Sequence, residues 1–86
     1  MRTIVRIEGR DLCYDLERVH YLSDLSEGSL FIVKHPETHE LCRARIVMKF
    51  VKGIDVVEDI RGELPYRWYI WKGNLFDQVF LIKKQY

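Results

Sequence analysis

Eighty-six residues with 48% apolar and 31% charged side chains suffice for one small core and exclude both a multidomain chain and intrinsic disorder. The formal net charge is +1, so no global field marks nucleic acid or a membrane surface as the partner. No apolar run approaches the roughly 18 residues that would cross a bilayer.

Met1-Arg2-Thr3-Ile4-Val5-Arg6 reads as a strand with charges inside it rather than as an export signal, and a cytoplasmic protein is expected. From Arg2 to Glu8, Thr3, Val5 and Ile7 share one face and Arg2, Arg6 and Glu8 the other, the period of a half-buried strand. It ends at Gly9. Residues 11–22 fit two patterns: a helix with Asp11 as cap and Leu12, Leu16 and Val19 as its stripe, or a strand through Leu12, Tyr14 and Leu16. The short helix is the expectation adopted. A polar loop over residues 23–29 then leads to the β-branched and aromatic run Leu30-Phe31-Ile32-Val33, a strand.

His35-Pro36-Glu37-Thr38-His39-Glu40 turns the chain, because Pro36 cannot donate to a ladder. The next strand alternates plainly, with Cys42, Ala44, Ile46, Met48 and Phe50 predicted inward and Arg43, Arg45, Val47, Lys49 and Val51 outward. Gly53 breaks it, and residues 54–60 form a weaker strand. From Tyr66 to Trp71 and from Leu75 to Lys83 the sequence predicts a hairpin closed by Gly73-Asn74, a pair that tolerates positive φ. In that register Trp68 faces Val79 on one side and Trp71 faces Phe76 on the other.

The predicted fold is mainly β with one short helix: a small, strongly bent sheet or a barrel of five or six strands, SH3-like or OB-like. The stretch from Leu25 to Val33, followed by a hairpin, is similar to the way SH3-like barrels enter their second and third strands. That likeness implies a fold and no function.

Little in the chain points to catalysis. His35, His39 and Cys42, with His20 or Cys13, would offer zinc ligands, but their spacing lacks the paired close ligands of structural sites. Solvated turn histidines and packed, reduced, inert cysteines are expected, with no metal and no cofactor. Asp11, Asp15 and Glu17, or Asp55, Glu58 and Asp59, come without a phosphate loop or any partner motif for acid–base work. An enzyme is therefore the least favoured class.

Two surfaces remain. Arg43, Arg45 and Lys49 would form a basic row able to track a phosphate backbone, which makes RNA or single-stranded DNA the alternative partner. Residues 1–43 hold 6 Lys/Arg against 8 Asp/Glu, whereas residues 44–86 hold 8 against 5, so the second half leans basic. The other surface is the hairpin, since seven of the eleven aromatic residues fall between Tyr66 and Tyr86. If Tyr66, Trp68, Ile70, Val79 and Leu81 fill the core, then Arg67, Tyr69, Trp71, Lys72, Phe76 and Phe80 form an open docking face. A curled sheet or a helix covering that second face is the alternative. The expectation is a non-enzymatic binding module that docks this face onto a protein partner as a small regulator or inhibitor, with phage-encoded regulators as one setting. A ribbon apolar on both sides also predicts a homodimer.

Overall fold

The computed structural model describes residues 1–60, 65–74 and 79–86. They form seven strands: β1 (Arg2–Ile7), β2 (Arg10–Arg18), β3 (Leu30–Lys34), β4 (Leu41–Phe50), β5 (Gly53–Glu58), β6 (Arg67–Trp71) and β7 (Phe80–Gln85). All belong to one sheet in the order β1-β2-β7-β3-β4-β5-β6, with every neighbouring pair antiparallel. The fold is thus mainly β, a strongly curled half-barrel with more strands than the sequence suggested.

The sheet carries two cores on opposite faces. At β3, Phe31 and Val33 join a cluster with Ala44, Ile46, Ile54, Val56 and Ile70, whereas the intervening Ile32 joins Val5, Tyr14 and Leu16. At β7, Leu81 packs against the first cluster, and Phe80 and Ile82 against the second. A strand buried on both faces must be apolar at every position, and Leu30-Phe31-Ile32-Val33 is. The crossover from β2 to β3 closes the first core with Val19 and Leu25, both fully buried. Val19 N–H donates to the Val79 carbonyl at 3.3 Å, which ties the crossover to the start of β7.

Three expectations are corrected. Residues 11–22 are not helical: β2 occupies Arg10–Arg18, and only Leu22–Asp24 form a single 3-10 turn. Glu8 and Gly9, with φ of 53° and 73°, connect Ile7 to its partner Arg10. Two successive positive φ values make the two-residue turn that sends a chain straight back along the strand it left. Pairing with β1 then buries Tyr14, which the helical stripe would have left aside.

The second correction concerns β4. Ile46 pairs with Val56 but Met48 pairs with Asp55, so one extra residue bulges between them and reverses the alternation beyond it. Cys42, Ala44 and Ile46 are buried as expected, whereas Met48 and Phe50 face outward.

The third is the C-terminal hairpin. β6 pairs with β5, whereas β7 inserts between β2 and β3 and pairs with both. Lys72–Asn74 form a 3-10 turn where the two-residue turn was expected. One ladder inside a hairpin would have left β2 and β3 with open edges, and insertion of β7 satisfies both. Ile70 and Trp68 on the inner side of β6 and the apolar residues on both sides of β7 pack against the cores, whereas Tyr69 and Trp71 on the outer side of β6 stay exposed.

Candidate functional site

Residues directly opposed on antiparallel strands share a face. Across β4, β5 and β6 the ladder gives three outward rows: Arg45–Val57–Arg67, Met48–Asp55–Tyr69 and Phe50–Gly53–Trp71. The residues between them, Ile54, Val56 and Ile70, are buried on the other side. Met48, Phe50, Tyr69 and Trp71 therefore stand together on the outer face, each between 44% and 52% exposed. Val51, at the β4–β5 turn, extends the patch.

Two of the rings are held by glycine. A Cβ on Gly53 would collide with the Ile70 carbonyl oxygen and with the Cζ–Oη end of Tyr69, so the tyrosine lies across a backbone that only glycine leaves bare. A Cβ on Gly73 would fall against Cε3, Cζ3 and Cη2 of Trp71 together, so the six-membered ring lies against that glycine. Tyr69 meets its glycine with the hydroxyl end and Trp71 with the six-membered ring, and both side chains remain about half exposed. Phe50 tilts toward Tyr69, with centroids 6.3 Å apart.

The charges around this patch are mostly cationic. Arg45 reaches the Gly28 carbonyl at 3.2 Å and Asp59 at 3.6 Å. Lys52, Arg67 and Lys72 are exposed and take part in no ion pair among the described residues. Asp55, midway between Met48 and Tyr69, is the carboxylate of the three rows.

The sequence-derived docking set is thereby split. Arg67, Tyr69 and Trp71 lie on the outer face of β6, and Lys72 begins the turn after it. Phe80 lies on β7, packed against the second core with the Arg18 guanidinium 5.9 Å over its ring. Phe76 falls outside the described residues. Met48 and Phe50 were missed, because only the bulge turns them outward.

The basic row of Arg43, Arg45 and Lys49 does not form a stripe. Arg43 donates from Nη1 to the Tyr14 hydroxyl (3.2 Å), and its Nε lies 2.8 Å from Asp59 Oδ2. That contact is electrostatic only, since the buried Nε has no aligned hydrogen-bond acceptor. Lys49, beyond the bulge, pairs with the buried Ile54 and donates to the Leu25 carbonyl. It sits on the opposite face from the two arginines.

The other polar candidates serve the fold. His35 is buried, with its ring 4.9 Å from that of Tyr66 and 5.5 Å from that of Trp68. Its Nδ1 accepts the N–H groups of Glu37 (3.0 Å) and Thr38 (3.4 Å), which places its proton on Nε2, 3.8 Å from Glu58 Oε2. The ring thus caps the turn between β3 and β4. Burial, with a smaller contribution from nearby Glu58, pushes the Cys42 thiol up to about 12, so it stays protonated and a poor nucleophile. Asp11 pairs with Arg6 at 3.4 Å and Glu17 with Lys83 at 3.7 Å. Among the described residues no group of three His, Cys, Asp or Glu side chains could hold a metal ion, and no helix is long and apolar enough to cross a membrane.

No known protein family, curated protein or solved structure matches this chain.

Proposed function

We propose that this protein is a non-enzymatic binding module, a small regulator that acts by docking the outer face of β4, β5 and β6 onto a macromolecule. The observation that carries the reading is the grouping of Met48, Phe50, Tyr69 and Trp71, half-exposed, on one side of three adjacent strands. Scattered exposed apolar residues need no explanation, but a contiguous patch with Trp, Tyr, Met and Arg has the composition of binding hot spots. Its rim of Lys52, Arg67 and Lys72 disfavours a second copy seated symmetrically on it, because like charges would meet across the two-fold axis. An anionic partner fits better.

A photo-reactive benzoylphenylalanine replacing Trp71 tests the reading, with the same probe replacing Tyr21 as control, since Tyr21 is exposed on the crossover. Irradiation in native lysate is expected to give one discrete adduct from position 71 and none in common from position 21. Equal labelling at both positions, or none at either, overturns the proposed docking face.

A further inference from the structure

We infer that the ligand of this face is single-stranded nucleic acid, its bases stacked on Tyr69 and Trp71 and its phosphates held by Lys52, Arg67 and Lys72. The inference rests on the docking reading above and names the partner class. It starts from the ring geometry. Protein hot spots cluster in well-packed, desolvated pockets, whereas Trp71 lays its six-membered ring against Gly73, Tyr69 crosses Gly53 with its hydroxyl end, and about half of each side chain stays open on the sheet surface, ring sides included. Such sides are platforms for unpaired bases, and every base has a face to offer them.

Spacing supports the same ligand. Tyr69 and Trp71 are two residues apart on β6, and successive same-face side chains on a strand stand about 6.7 Å apart. Each platform therefore takes its own unstacked base, with Phe50 beside the first ring at 6.3 Å. A duplex cannot use this surface, because its bases are already stacked on each other.

Charge supplies the second, independent argument. Lys52 and Lys72 lie at the same end of the patch, joined through Lys72 N–H donating to the Lys52 carbonyl at 2.8 Å. Arg67 lies at the other end of β6. A chain of phosphates running along β6 would meet cations at both ends with the aromatic rings between. Of the row on β4 that the sequence suggested, Arg43 and Arg45 share this face but are engaged with Asp59, and the bulge turns Lys49 to the opposite side.

Fluorescein-labelled (U)12 and (dT)12, with a 12-base-pair DNA duplex as comparison, test the proposal by fluorescence anisotropy between 50 and 300 mM NaCl. Binding of one or both single strands is expected, and their ratio tells RNA from DNA as the source. Three neutralised phosphates predict a log–log salt slope of about −2. Trp71→Ala is expected to weaken binding about tenfold. Lys52→Glu with Arg67→Glu, both at exposed positions, should abolish it even if Trp71→Ala fails to fold. The inference is overturned by no binding at 100 μM protein, or by duplex binding as tight as single-strand binding. It is equally overturned by binding that Trp71→Ala leaves intact in a folded variant. If the oligonucleotides fail while position 71 still cross-links to a protein, the docking face stands and its nucleic-acid ligand does not. If cross-linking fails as well, both fall.

Discussion

The face of the sheet that carries Val5, Tyr14, Leu16 and Ile32 at its β1 side carries Met48, Phe50, Tyr69 and Trp71 at its β6 side. The two regions are similarly apolar, yet the first is a core and the second lies open. Curvature separates them. Over the first region β1 and β2 bend back toward β4, to the point where Arg43 on β4 reaches the hydroxyl of Tyr14 on β2. Across β4, β5 and β6 the sheet instead closes around Ile54, Val56 and Ile70 on the opposite side, which leaves the aromatic face convex. A side chain in this protein is buried by what the sheet folds over, and its own hydrophobicity does not decide the matter.

The largest expected effect tests the covered half. Tyr14 is fully buried, and Tyr14→Ala should cost about 3–5 kcal/mol in urea unfolding followed by circular dichroism, through lost burial and a residual cavity. On the open half, Trp71→Ala should cost about 1 kcal/mol or less. Equal losses would mean that the outer rings are core after all and would dissolve the comparison.

A middle-sized effect belongs to the seam between ring and backbone. Gly53→Ala should destabilise by about 1–3 kcal/mol, since the added methyl meets both a carbonyl oxygen and the tyrosine ring. Adding Tyr69→Ala should recover part of that loss, because it removes one of the two obstacles and leaves the Ile70 carbonyl. No recovery in the double variant would show that Tyr69 does not lie across Gly53.

The effect that is smallest at neutral pH concerns Cys42, whose thiol is held up to about 12 by burial and by Glu58. The unfolded chain releases this proton near the ordinary thiol value of about 8.5. Between the two values the unfolded state binds fewer protons than the native one, so stability is full below the ordinary value and falls as pH rises toward the native one. Cys42→Ala should flatten that decline, and in the native wild type a thiol reagent at pH 8 should leave Cys42 unmodified until denaturant is added. Rapid modification of native Cys42 would place it outside the core.

Much of the candidate site was legible because alternation along a strand is local. Period two marked β1, the inward side of β4 as far as Ile46, and the opposite sides of Trp68 and Trp71 on β6. It failed where one residue shifts the phase: nothing near Val47 announces a bulge, so Met48 and Phe50 were assigned to the core and Lys49 to a basic outer row. Residues 11–22 failed for another reason. Leu12 and Leu16 satisfy helix and strand spacing at once, and the decision came from the Glu8-Gly9 turn and the burial of Tyr14.

What the amino-acid sequence determined by itself is the β class, most of the strand segments and the position of their turns, since these follow from side-chain periodicity and from residues that tolerate positive φ or lack an N–H. Only the tertiary structure decided that β7 sits between β2 and β3 rather than beside β6, and which apolar face stays open. Strand pairing joins residues far apart in the chain. A strand apolar on both faces, such as β3 or β7, fits more than one neighbour until the whole sheet has curled.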